Sequence, residues 1–209
     1  MIAIQREHRR FALWAAAVLV IALPVWWLVG ADIVLWALRP LANVVFKVFG
    51  LSGGVAGAPE NWSVMTGLPL ANGQGDLVYP VMRDTLRRQL LGFPLLFAFL
   101  CAPPRTSRPV RAAVIGAVVL TAVFLFCVTT FVWGELAPML NPALAPAGKP
   151  PAAALAAPPL HPAIAQTVLL GRYAGMSVLP FLTALLVWAA ANPNGVGTLF
   201  TRKPTGTSD

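Results

Sequence analysis

Cys127, His161 and Arg172 are the residues of this 209-residue sequence whose types could share covalent chemistry. A thiol is a nucleophile, an imidazole a base, and a guanidinium holds developing negative charge. If the chain crosses a membrane in the order set out below, all three fall toward the same outer side. Each also has a plainer use, and the plainer reading is the stronger. A cysteine among Phe124, Phe126 and Phe131 is a small packing residue, His161 belongs to a proline-rich loop, and arginines near span ends anchor to headgroups. A second group is Arg83, Asp84, Arg87 and Arg88, which could grip an anionic headgroup or an acidic partner segment through forked hydrogen bonds. Snorkelling at the end of a short span accounts for the same cluster, with Asp84 expected to pair with Arg88 one turn on.

Nothing else in the sequence carries a reaction. HExxH, GxxxxGK and GxGxxG are all missing, and Cys101 and Cys127 have neither zinc nor disulfide spacing. No metal or cofactor is expected.

The elements that must hold these residues are membrane elements. Hydrophobic residues make up 58% and charged residues 11%, with a mean hydropathy of +0.75. A soluble domain carries about 25% charged residues, so a water-facing surface of this composition could not be covered. The net charge of +8 sits in short clusters beside apolar runs, which suits topology control and anionic lipids rather than nucleic acid. The fold class expected is an all-α polytopic membrane protein of about four transmembrane helices, with an interfacial amphipathic helix and a small extracytoplasmic β-hairpin.

Along the chain, residues 1–10 read as a basic N-terminus, 11–30 as a first span kinked at Pro24, and 31–50 as the interfacial helix. There, Arg39, Asn43 and Lys47 recur four apart as one polar stripe. A full crossing would leave Arg39 and Lys47 at membrane depth without an acidic partner. Residues 51–81 form an extracytoplasmic insert whose two extended pieces flank an Asn72-Gly73 turn, with Pro69 and Pro80 limiting both strands to short edge pieces. Then come a second span, 82–102, a tight loop, 103–109, a third span, 110–133, and a Pro/Ala-rich outer loop, 134–163, favouring polyproline II. The fourth span, 164–191, precedes a tail, 192–209. Glycines 171 and 175 give that last span small-xxx-small spacing, suited to close approach of another helix.

Four spans put both termini on one side. Arg6, Arg9, Arg10, Arg105, Arg108, Arg111, Arg202 and Lys203 would then occupy short cytoplasmic pieces, as the positive-inside rule requires. Arg83, Arg87 and Arg88 would lie outside, against that rule.

The order of parts resembles a known family. A basic start leads to FALWAAAVLVIALPVWWLV, the amphipathic VLWALRPLANVVF, a small β-like insert, LLGFPLLFAFLCAPPR, a long apolar span, and LLGRYAGMSVLPFLTALLVW. This is similar to the exosortase H-associated membrane proteins, small bacterial inner-membrane proteins. The resemblance implies a non-enzymatic accessory role beside exosortase H, a transpeptidase-like membrane enzyme that processes proteins with a C-terminal sorting signal. It carries over no catalytic residue. Two other functions fit the residues: a small carrier or channel with Arg39, Lys47 or Arg172 along a polar path, and an outer-leaflet thiol enzyme using Cys127, His161 and Arg172.

Overall fold

The computed structural model describes residues 2–58, 61–145 and 154–200. Residues 146–153 of the Pro/Ala tract, and Arg202 and Lys203 of the tail, lie outside them. The chain begins with α1 (Ile2–Val25), a five-residue π-turn (Trp26–Gly30) and α2 (Ala31–Val48), which run on as one helix. Pro24 was expected to kink this segment. Instead the turn after it widens to the π form, one of the standard accommodations inside a long helix, and the helix continues. Gly30 is required there, because a Cβ on it would stand 2.8 Å from the Trp26 ring.

The small sheet follows: β1 (Gly54–Ala56), β2 (Trp62–Pro69) and β3 (Asp76–Val81), antiparallel in that order. β2 and β3 are the two extended pieces legible in the sequence, paired from Trp62↔Val81 to Pro69↔Asp76 around the Asn72-Gly73 turn, where Gly73 has φ +73°. β1 is a third strand, in a Gly-rich segment whose pattern predicts no strand. Inward residues Val55, Trp62, Val64 and Val81 are buried with Phe124, Val128 and Phe131 of a later helix, and the Trp62 ring meets Phe124 edge-on at 6.0 Å.

Next come α3 (Arg83–Gln89), α4 (Gly92–Cys101), α5 (Pro109–Leu140), α6 (Pro162–Ala191) and α7 (Pro193–Phe200). Two helices are long and apolar enough to cross a membrane, His8–Val48 and Pro109–Leu140, and a third is when the halves of α6 are counted together. Those halves meet at 67° between Met176 and Val178. Pro180 supplies no amide hydrogen to the Met176 carbonyl, which frees the helix to bend there. The expected span at 82–102 is divided at Leu90-Leu91 into two short helices, neither of which is long enough alone. Part of the expected tail is helical: Asn192 caps α7 by accepting from the Gly195 amide, and its own amide donates to the Pro104 carbonyl at 2.7 Å.

The long first helix is steeply inclined to α5. The Phe11 ring lies 5.1 Å from Trp188, next to Val187, which packs at Gly116 of α5; at the other end the Trp133 indole donates to the Phe49 carbonyl at 3.1 Å. Residues 11–49 therefore rise through the same height as residues 116–133, about 57 Å of helix against about 26 Å. An inclined helix of that length fits a hydrocarbon layer of about 30 Å without protruding.

The polar stripe of α2 has a structural use. Asn43 Oδ1 accepts from the Val55 amide at 2.5 Å, while Arg39 donates to the Val55 carbonyl and to the Gly57 carbonyl, each at 2.9 Å. The other edge of β1 pairs with β2. Two side chains one helical turn apart thus stand in for the missing neighbour strand. Lys47, the third residue of the stripe, is exposed. Asn43→Ala should lower stability by about 1–3 kcal/mol by orphaning the Val55 amide, whereas Asn43→Asp keeps the acceptor and most of the stability. Thermal unfolding in detergent compares them; equal midpoints for Asn43→Ala and the parent would refute this role.

Candidate functional site

Arg83 and Arg87 lie one turn apart on α3 and so share a face. Both reach Asp32, the second residue of α2. Arg83 Nη2 bonds Asp32 Oδ2, and Arg87 Nη2 approaches the same oxygen at 3.0 Å. The Arg87 guanidinium also lies 5.5 Å over the Trp27 ring, and its side chain is only 7% exposed. A desolvated guanidinium gains from both a carboxylate and an aromatic face. Beside it, Trp26 stacks on Phe93 of α4 at 5.6 Å. The π-turn, α3 and α4 are thereby tied at one place.

This placement redistributes the arginine cluster expected to meet a headgroup or partner. Asp32 occupies the position of an external anion for Arg83 and Arg87. Asp84 and Arg88 are exposed, and among the described residues they do not form the expected ion pair with each other. The sequence held one clue to Asp32: a lone carboxylate inside a 41-residue apolar helix needs a cation. Which cation, 51 residues away, is decided only by folding.

Cys127, His161 and Arg172 do not converge. Cys127 is fully buried between α5 and α6, 3.0 Å from where a Cβ on Gly175 would stand. Arg172 pairs with Glu135 at 2.6 Å, and His161 is exposed at the N-cap of α6, accepting from the Ala163 amide. Eleven residues of one helix, about 16 Å, separate His161 from Arg172. The glycines of GRYAG serve this same helix pair: a Cβ on Gly171 would stand 2.7 Å from Thr130, and one on Gly134 2.9 Å from Arg172. Close approach is thus realised within the chain. Tyr79 of β3 sits near both charges; burial first, and then Glu135, push its hydroxyl up to about 12, against the opposing pull of Arg172. Among the described residues no three His, Cys, Asp or Glu side chains gather as a metal site.

The outward surface of the first long helix is apolar. In the most apolar stretch of His8–Val48 only 11% is buried by the rest of the chain, against 44% for α5. Val20, Ile21, Leu28, Ile33, Trp36 and Val48 all face outward, each at least 60% exposed.

A sequence model described as the exosortase H-associated membrane protein matches residues 5–195, and the chain belongs to that family. No curated protein and no solved structure matches it.

The charge cluster can be tested by a double-mutant cycle. Asp32→Asn should cost about 3 kcal/mol or more by leaving Arg87 buried without its carboxylate, and adding Arg87→Gln should recover part of the loss. Arg88→Gln, on the exposed face, should be near neutral. Unfolding midpoints in detergent read all three; additive losses would show that Asp32 and Arg87 do not act as a pair.

Proposed function

We propose that this chain is a non-enzymatic accessory subunit of exosortase H in the bacterial inner membrane, docked to the enzyme through the outward face of α1 and α2. The observation that carries the reading is the long apolar helix left almost uncovered by its own chain, in a family described as associated with a membrane enzyme. An exposed helix face this apolar belongs either in lipid or against another membrane protein. Its inclination to α5 presents a broad diagonal strip, wider in reach than an upright span.

The polar side chains support the same reading by having internal partners. Arg39 holds strand carbonyls, Arg83 and Arg87 hold Asp32, and Arg172 holds Glu135. A carrier or channel would need such groups along an open path, and a thiol enzyme would need Cys127 within reach of a base. The orientation proposed places in the cytoplasm the end carrying Arg6, Arg9, Arg10, Arg105, Arg108 and Arg111. The sheet then lies on the outer side, where a sorting enzyme meets exported proteins.

Photocrosslinking side chains placed singly at Val20, Leu28 and Trp36 should form adducts with co-expressed exosortase H. The same probes at Val118 and Leu186, exposed on α5 and α6, should not. Adducts of equal yield from both sets, or none from the first, would overturn the docking face. Cys127→Ala should leave sorting intact; its loss, with the protein still folded and inserted, would favour the thiol enzyme.

A further inference from the structure

The loop between α4 and α5 is fastened to the far end of α6. The Thr106 hydroxyl donates to the Ala191 carbonyl at 2.8 Å and the Asn192 side-chain amide to the Pro104 carbonyl at 2.7 Å, with Thr106 and Asn192 both buried. The residues that follow therefore have a fixed place. Ser107 and Arg108 lie beside the last turn of α6, and α5 starts at Pro109 without a side-chain cap. Arg108 and Arg111, three apart, share a face and are both exposed. Among the described residues neither side chain has a hydrogen bond or an ion pair.

These two arginines line a cavity of about 260 Å³ together with Thr106 and Ser107. A second cavity, of about 370 Å³, begins where the first ends: Ala112, Ile115, Ala190 and Ala191 line both, and the second continues to Val119 and Leu186. The two make one groove between α5 and α6, polar at its mouth and apolar within. Alanines keep it open, because their side chains stop at Cβ. Ile115 and Val119 stand about 6 and about 12 Å along α5 from Arg111. With Arg111 at the membrane boundary, the apolar part stays within one leaflet, half of a hydrocarbon layer of about 30 Å.

The mouth selects charge. Two guanidiniums and the uncapped start of a 32-residue helix all favour an anion, and among the described residues no carboxylate lines either cavity. The C-terminal end of α6 has the opposite sign, but its Ala191 carbonyl already accepts from Thr106. A free phosphate would leave the apolar part of the groove unused, and a neutral chain would leave both arginines unmatched. An occupant that satisfies both parts is an amphiphile with net negative charge.

We propose that this groove binds one anionic phospholipid of the phosphatidylglycerol class, its phosphodiester held by Arg108 and Arg111 and one acyl chain lying along Ile115 and Val119. In the orientation proposed above, that lipid belongs to the cytoplasmic leaflet. The site itself depends neither on that orientation nor on the enzyme-docking face, which is formed by α1 and α2. A basic loop drawn to an anionic surface in general would show neither saturation nor dependence on the groove.

The full chain in phosphatidylcholine vesicles, doped with phosphatidylglycerol carrying a photoreactive group near the ester end of one acyl chain, reports the contact directly. Adducts should concentrate on residues 106–119 and 186–191, saturate with dose, and be displaced by unlabelled phosphatidylglycerol but not by phosphatidylethanolamine, diacylglycerol or soluble glycerol phosphate. Arg108→Gln and Arg111→Gln should each weaken occupancy about fivefold, the worth of one basic residue at a membrane surface. Removing two charges instead at Arg9 and Arg10, which are exposed on α1, should leave it unchanged. Ala190→Trp fills the groove from an exposed position and should abolish occupancy, whereas Ala113→Trp, exposed on α5 outside the groove, should not. Labelling that never saturates, that survives Ala190→Trp, or that falls equally for the two arginine pairs would refute the site. Displacement by glycerol phosphate would overturn the acyl contact, and equal displacement by phosphatidylethanolamine or diacylglycerol would overturn the selection for negative charge.

Discussion

A strand edge packed against an apolar helix must have its N–H and C=O groups answered, because neither lipid nor leucine can answer them. Val55 is where this chain meets that constraint, and Asn43 and Arg39 meet it from the neighbouring helix. Without that pair β1 would have no second neighbour, and the three-stranded sheet would lose the contact that fixes it to α2. The far end of β2 is answered similarly: Ala71 donates to Ala154 and Ala156 to Pro69, so the chain leaving the Pro/Ala tract closes the sheet. β3, the remaining edge, contains Pro80, which has no amide to leave bare.

Once the sheet is fixed, the helices have little freedom. The buried face of β2 lies along α5 from Phe124 upward, β3 delivers the chain to α3, and α3 carries its two arginines to Asp32. That ion cluster and the Trp26–Phe93 stack tie the middle of the first helix to α3 and α4, while Phe11 and Phe49 fix its ends. The inclination follows from these attachments. It also resolves an apparent conflict, since a 41-residue apolar helix is about twice the bilayer thickness if upright and about matched to it when steeply tilted.

The same attachments leave two kinds of apolar surface. On α5 and α6, glycines bring backbones together and most of the shared face is consumed internally. On α1 and α2 the outward face is not consumed. A chain built this way spends its polar groups on holding its own shape and leaves hydrocarbon outward, a surface that another membrane protein could meet only by shape and close packing, because lipid offers no hydrophobic drive between helices.

Composition and apolar run length determined by themselves that the chain lives in a membrane, because too few charged residues remain to cover a soluble surface. Local turn chemistry determined β2 and β3, since Asn72-Gly73 and the prolines act within a few residues. The family likeness was also legible, being a matter of the order of parts. Asp32 as the partner of Arg83 and Arg87, Val55 as the partner of Arg39 and Asn43, and Cys127 as packing against Gly175 were settled only by tertiary structure. The reason is physical: periodicity shows which side of a helix is polar but not what faces it, and each of these partners comes from a segment 12 to 55 residues away. The division of 82–102 and the tilt of the first helix were likewise beyond the sequence, because both are set by contacts among helices rather than by any propensity within one.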